Sequence, residues 1–358
     1  MRRVIPWKSP LLGTFLLSLL LLVGVTAWLL TDPATSRSDA LKTGGLAGGA
    51  VVALYALWLN DRRRRVEERR QEVERQRQEL ESRRTDQDRD RVSDERFAKA
   101  VELLGHNADQ VRVGALHALA GLAKSRESYR QTVLDILCSY LRRPFGHPRL
   151  SDESEAGAEN ELQVRNTAKR CIRSLLSPAS DVDAPAYNLD LTGAVLDYFH
   201  LAEVKVGELV MRHVTLFSST SFRDCEFTGP VWFTGTAGQP GELGGRFHCQ
   251  GVTFHDRAWF SGTEFPAQTN FEGTTFSGET TFKDAVFSSD AVFKDTTFAH
   301  SLELRRTRFE GAVDLRFATP PPSLDLYNTF VDETKDLHLP PGWSTETLPD
   351  GQTRLVQL

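Results

Sequence analysis

The chain has 358 residues, 40% of them hydrophobic, and a formal net charge of −5. That length bears two or three domains with a sizeable buried core. Its four cysteines, Cys138, Cys171, Cys225 and Cys249, are scattered with no CxxC pair, which excludes a disulfide framework and a cysteine zinc array and reads as free thiols in a reducing compartment.

Residues Pro10 to Leu30 form an apolar run without a charge. Roughly 20 helical residues cross the ~30 Å hydrocarbon core of a bilayer. A signal peptide is the rival reading, but the run is long for an apolar signal core, its exit at Val25-Thr26-Ala27 is weak, and a second apolar run follows. That second run, from about Leu41 to Asn60, carries Gly44, Gly45, Gly48 and Gly49. Glycines four apart let helices approach closely in lipid, so either the first helix or a second copy fits against them. Trp7, Trp28, Tyr55 and Trp58 sit near the span ends, where amphipathic aromatics settle. Arg2, Arg3 and Lys8 precede the first helix and Arg62, Arg63, Arg64 and Arg65 follow the second, whereas Arg37 and Lys42 between them are offset by Asp32 and Asp39. This bias predicts a multi-pass hairpin over 1–60 in the plasma membrane, with both termini cytoplasmic.

Residues 61–92 are almost wholly charged and predict a solvated helical stalk of roughly 45 Å, held by opposite charges one turn apart. Basic residues in its first turn would gain on the order of 1 kcal/mol each beside anionic lipid. Val66, Val73 and Leu80 recur every seventh residue, but the alternate seam positions hold Arg69, Gln76 and Arg83. A lone helix and a dimeric coiled coil both stand, the latter making the chain a homo-oligomer through its stalk or transmembrane helices.

Residues 93–178 predict an all-α domain. Phe97, Val101 and Leu104 line one face, with Gly105 able to end that helix; Ala115, Leu116, Leu119, Leu122 and Ala123 line the next; Val133, Leu134, Leu137 and Leu141 line a third, stopped by Pro144. After a polar loop, SDESEAGAEN, Val164, Ala168, Cys171, Ile172 and Leu175 predict a fourth.

From Val252 to Phe317 an eleven-residue unit repeats six times. Its third position is Phe254, Phe265, Phe276, Phe287, Phe298 and Phe309, and its ninth is Phe260, Phe271, Phe282, Phe293, Leu304 and Leu315. Spacings that alternate between six and five fit neither an amphipathic helix nor a long strand. They fit short extended sides, each with one bulky residue inward, joined by polar corners such as Ser288-Ser289-Asp290 and Glu272-Gly273, and so a stacked solenoid. The phase reaches back through Phe222 and Phe233 to a strictly five-residue stretch, Leu191, Leu196, Leu201, Val206, Met211 and Leu216, with inward partners Leu189, Ala194, Phe199, Val204, Leu209 and Val214. The segment Thr236 to Gly251 breaks the period and predicts a bulging loop. After Phe317 the repeat gives way, so residues 319–358 are expected to cap the open end, with Leu348-Pro349-Asp350-Gly351 as a hairpin turn.

A small residue two places before each bulky one, at a period near five, resembles the pentapeptide-repeat family, in a Phe-rich variant. The resemblance implies a right-handed, quadrilateral β-helix over 179–318 with an inward ladder of Phe or Leu. The family often sets Asp or Asn before the central residue; here that residue is mostly absent, and Leu189, Phe199 and Leu209 are large for their position. The string VRVGALHALAGLA resembles one helix of a HEAT repeat, and the whole order is similar to bacterial membrane-anchored pentapeptide-repeat proteins. That group supplies an architecture rather than an activity.

No HExxH, GxxxxGK[ST] or GxSxG pattern occurs. His248, Cys249 and His255, with Cys225 nearby, lack ligand spacing, and Asp284, Asp290 and Asp295 recur as corner residues. The chain is therefore expected to be non-enzymatic, with no catalytic residue, metal site or cofactor. The expected role is a scaffold presenting the solenoid to a cytoplasmic protein from the lipid bilayer. The alternative, also from the resemblance, is a DNA-mimicking binder of a topoisomerase such as gyrase: residues 181–317 hold 19 acidic against 11 basic residues. That balance speaks against direct nucleic-acid binding, which needs a basic face.

Overall fold

The computed structural model describes residues 10–31, 37–148, 157–238 and 244–358. The chain divides into two compact units, Met1–Val92 and Ser93–Leu358. In the first, helix α1 spans Pro10–Leu30 and α2 starts at Arg37. Both are long and apolar enough to cross a membrane. A Cβ at Gly44 would run into the Leu22 carbonyl and the Thr26 hydroxyl, and one at Gly48 would lie 3.2 Å from the Ser18 carbonyl. The Ser18 hydroxyl donates to the Gly48 carbonyl at 2.8 Å. Gly45 and Gly49 face open space, so of the two glycine pairs only Gly44/Gly48 packs on α1.

Helix α2 runs unbroken from Arg37 to Leu104, 68 residues. The expected divisions at 60 and 92 are therefore not breaks in the helix. Between Gly49 and Gly105 there is neither Gly nor Pro, and the charged stretch consists of good helix formers with one-turn contacts such as Arg75–Glu79 at 3.5 Å. Arg62, Arg63 and Arg64 are exposed, with the Arg62 guanidinium 5.4 Å from the Trp58 ring centre. The side chains of Arg65 and Val66, and residues Arg2, Arg3, Trp7, Lys8 and Asp32, lie outside those described.

In the second unit, α3 (Asp109–Ser125), α4 (Arg130–Leu141) and α5 (Ala158–Leu175) follow the end of α2. The expected inward residues of these helices and of the end of α2 are buried, except that Phe97 and Leu122 are half-buried and Val101 is 38% exposed. The final turns of α2 bury Ala100 and Leu104 instead of Val101, a narrower face than the spacing predicts. Helix α5 also begins within the predicted loop, whose residues 151–156 lie outside those described.

The solenoid then makes about seven turns. Each short strand pairs in parallel with the strand four sides later, so four strand columns form: Thr253–Phe254, Ala258–Trp259, Glu264–Phe265 and Thr269–Asn270 lie beside Thr275–Phe276, Thr280–Thr281, Val286–Phe287 and Ala291–Val292. One coil therefore takes two eleven-residue units. In the five-residue stretch adjoining sides fuse, as in Val195–His200 and Thr215–Ser221, and the corner survives inside the strand as Tyr198 and Ser218 at φ 48° and 54°. In the later coils the corner falls on the last residue of each unit, Gly262, Gly273, Asp284, Asp295 and Arg306, with φ between 56° and 66°. This is the left-handed region that Gly enters freely and Asp more readily than most.

Two expectations need correcting. Within Thr236–Gly251 the period breaks as expected but the strand columns continue: Ala237–Gly238 and Gly244–His248 keep pairing, Gly238 takes the place of Leu216 with no side chain to offer, and Phe247, in register with Thr269, and Cys249 point inward at 4% and 1% exposure. The glycines are accommodated because Gly245 lies against the Ser218 backbone, where a side chain has no room. The remainder of the bulge, 239–243, lies outside the described residues. Nor does the solenoid stop at 318. Leu324–Asp325, Phe330–Val331 and Leu337–His338 add three more parallel sides. Only then does the hairpin Trp343–Thr347 and Thr353–Gln357 pair antiparallel onto Phe330–Val331 and close the edge. At that end the expected hairpin turn is present, with the Gly351 amide bonded to the Leu348 carbonyl at 2.9 Å.

Candidate functional site

Every predicted ladder side chain from Phe254 to Leu315 is 3% exposed or less. Rings stack on their equivalents one coil away: Phe254–Phe276 at 5.0 Å and 3°, Phe260–Phe282 at 4.8 Å and 6°, Phe265–Phe287 at 4.7 Å and 11°, Phe271–Phe293 at 4.9 Å and 13°. Rings of opposite columns meet edge to face across the core, as in Phe271–Phe282 at 79°. These rings fill the core and offer no face to a ligand.

The spacing did not show what the small residue two places before each ring does. Thr236, Thr263, Thr274, Thr307 and Thr329 are 0–1% exposed. Their hydroxyls donate to carbonyls of the preceding coil, Met211, Phe233, Cys249, Phe282 and Leu304, at 2.5–2.9 Å. Each hydroxyl ties a corner to the coil before it, adding to the turn amides of Ala285 and Thr307 that already reach the Phe282 and Leu304 carbonyls at 2.9 and 3.0 Å. Thr at this position was legible; its partner on another coil was not.

A second buried polar group lies where the helices meet the solenoid. Arg165, 2% exposed, donates to the carbonyls of Leu141 at 2.9 Å and Arg143 at 2.5 Å, closing the end of α4, while its guanidinium carbon lies 4.4 Å from the Phe145 ring centre. Lys169 donates to the Asp197 carbonyl, and burial pulls its ammonium down to about 8. The His147 ring stacks on Phe217 at 3.9 Å, 3.5 Å from the Asp197 carboxylate. All are enclosed, so their chemistry joins helix to coil rather than serving a substrate.

The histidines and cysteines considered as ligands are dispersed in role. Cys225 and Cys249 are buried, with the Cys225 thiol 3.2 Å from the Leu201 carbonyl; His255 is exposed and 2.8 Å from Glu226. Among the described residues no group of three or more His, Cys, Asp or Glu could hold a metal.

What the surface offers is faces. One outward column carries Trp232 and Trp259, 4.5 Å apart at 79°, with the Trp232 indole donating to Glu208 at 3.0 Å and Arg212 4.7 Å from its ring centre. Carboxylates of a corner and of two sides are paired: Asp284 with Arg306 at 2.5 and 2.8 Å, Asp314 with Arg316 at 2.9 and 2.5 Å, Asp325 with Arg305 at 3.0 and 2.7 Å. The Arg306 and Arg316 hydrogen bonds hold Asp284 and Asp314 below the usual carboxylate range. On the helical side, the end of α2 and the outer face of α3 enclose an apolar groove of about 630 Å³. Leu103, Gly114, Ala118, Gly121 and Leu122 line it, together with Arg96 and Lys99.

Residues 271–319, in the regular Phe-rich coils, match the family model described as pentapeptide repeats (9 copies). Neither a curated protein nor a solved structure matches the chain. Together with the β-solenoid, the family match supports a pentapeptide-repeat protein. Such a solenoid, with filled core and paired outer charges, fits a protein-interaction scaffold.

Proposed function

We propose that the chain is a non-enzymatic, membrane-anchored scaffold whose C-terminal unit binds a cytoplasmic protein. The observation that carries this reading is a shared core: buried side chains from Ala100 to Leu355 form one contiguous cluster. Helical block and solenoid therefore make one rigid platform with broad outer faces. The apolar groove takes an amphipathic helix of the partner, apolar stripe on Gly114, Ala118 and Gly121 and carboxylates against Arg96 and Lys99. Helices α1 and α2 anchor the platform as a plasma-membrane hairpin with both termini inside, a reading supported by their apolar length and by Arg62–Arg64. This is the arrangement of the bacterial membrane-anchored group the sequence resembles, and a right-handed coil is the sense that parallel crossovers take.

The gyrase-binding alternative gains no support from the surface, since Asp284, Asp314 and Asp325, which would stand for phosphates, are each held by an arginine.

The test is cross-linked capture of the full-length protein from its membrane, beside Ala118→Arg in the groove and Glu264→Arg on an exposed solenoid side. Deleting the solenoid is the poorer control, because it strips the core from α4 and α5. A partner retained by wild type and lost with one variant supports the scaffold and locates its face. Identical captures from all three sink it.

A further inference from the structure

We infer that the α2 stalk is built to pair, in parallel and in register, with the same segment of a second copy of this chain. Val66, Val73 and Leu80 recur every seventh residue, and the spacing continues without a slip back through Leu59, Val52 and Gly45 on the same helix. Val52, Val73 and Leu80 are 54%, 50% and 55% exposed in the single chain. An apolar line of this period along an otherwise charged helix is a seam awaiting a partner.

The flanking charges identify that partner. Four residues after successive seam positions come Arg70, Arg77 and Arg84, and six residues after them come Glu72, Glu79 and Asp86. In a parallel pair these flanks face one another across the seam, the later position of one heptad against the earlier position of the next. Glu72 of one copy then meets Arg77 of the other, Glu79 meets Arg84, and Asp86 meets Arg91. Each pair is opposite in sign. An antiparallel arrangement instead sets arginine against arginine and carboxylate against carboxylate, so the same pattern that attracts a parallel copy repels an inverted one.

The single chain leaves the arginines of the first two pairs available. Among the described residues, the guanidinium groups of Arg70, Arg77 and Arg84 have no partner. Glu72 and Glu79 make exposed one-turn contacts, Glu72 accepting from the Gln76 amide at 3.0 Å and Glu79 pairing with Arg75 at 3.5 Å. Such contacts are worth little and exchange readily. Arg69, Gln76 and Arg83, on the other line of the seam, are polar, and long arginines lay their stems along it with their heads in water. The apolar contact is therefore narrow, the flanking ion pairs carry much of the pairing, and salt weakens it. None of this depends on what the groove or the solenoid binds.

The experiment uses the full chain in membranes, where buried Cys138, Cys171, Cys225 and Cys249 give no background. Val73→Cys and Leu80→Cys are oxidised separately, with Gln78→Cys, away from the seam, as the control. A disulfide requires Cα atoms within ~7 Å, so parallel pairing gives each seam variant a dimer band about tenfold stronger than the control. On the Leu80→Cys background, Arg77→Glu with Arg84→Glu should abolish the band, as should Glu72→Arg with Glu79→Arg. Co-expression of these two differently tagged chains should restore it as a mixed dimer. Equal bands at 78 and 80, no band at 73 or 80, or reversed chains that pair with themselves as well as wild type would overturn the proposal. Unreactive buried thiols in every variant certify that the C-terminal unit remains folded.

Discussion

The side-chain amide of Gln131 on α4 bonds twice to the backbone of Asn188, donating to its carbonyl at 2.9 Å and accepting from its N–H at 2.9 Å. A strand neighbour would make the same pair of bonds. Asn188 lies in the first strand of the solenoid, Tyr187–Asp190, and on this edge the helix supplies what the next coil supplies elsewhere. Arg142–Asp190 at 2.5 Å and Tyr187–Glu127 at 3.1 Å fasten the same strand to the helices.

Gln131→Ala should therefore lower the melting temperature by a few degrees, since two hydrogen bonds to one edge are worth ~1–2 kcal/mol. Hydrogen exchange at the Asn188 amide should quicken while amides of the central coils stay protected. Unchanged exchange at Asn188 would show that the edge is closed by other means.

Phe271 is fully buried and touches Phe247, Phe260, Phe276, Phe282 and Phe293. Phe271→Ala should cost ~3–5 kcal/mol in denaturant unfolding, the range for an aromatic removed from a core that cannot collapse around the gap. Trp259→Ala, on the outer face of the opposite column, removes a larger side chain and should cost less.

Gly273 holds its corner at φ 66°, with nothing within 4 Å of the place a Cβ would take. Only backbone conformation opposes a side chain there. Gly273→Val should destabilise by ~1–2 kcal/mol, and Gly273→Asp by clearly less, because short polar residues tolerate this region and Asp284 and Asp295 occupy the equivalent corners. Equal losses for the two would show the cost to be steric.

Burial raises all four thiols, Cys138 and Cys225 to about 12 and Cys171 and Cys249 above their usual value of 9.0. The unfolded chain releases these protons near 9.0 while the folded one keeps them. This contribution to stability is therefore complete below that pH and is lost as pH climbs from there toward 12. Melting temperature should fall in that window, and less steeply in Cys138→Ala. At neutral pH a thiol reagent should find no cysteine in the folded chain and four after denaturation.

The regular part of the fold was legible because its information is local. An inward Phe and a small residue two places earlier recur wherever a side begins, and Gly or Asp marks the corner, so Phe254 to Leu315 could be placed without a partner in view. The apolar runs of α1 and α2 were legible for the same reason, each carrying its own composition. Boundaries were less so. Leu324, Val331 and Leu337 lack the repeat's wording yet extend its columns, because a strand beside an existing edge needs only backbone groups and one residue that fits inward. Phe247, in register with Thr269 rather than with a ring, and Cys249 point inward for the same reason.

The sequence by itself determined the period, the inward ladder and the seven-residue spacing of Val66, Val73 and Leu80 in α2, since each is a relation between residues a few positions apart. Only the tertiary structure decided that Gln131 closes the strand edge at Asn188, that Arg165 caps α4 from α5, and that Thr274 answers a carbonyl of the coil before it. The first two bonds join residues whose separation along the chain follows no period, and the third joins residues 25 apart that only the stacking of coils brings together. They exist because stacking leaves particular backbone groups without a partner, and burying such a group unpaired costs more than bringing a distant side chain to meet it.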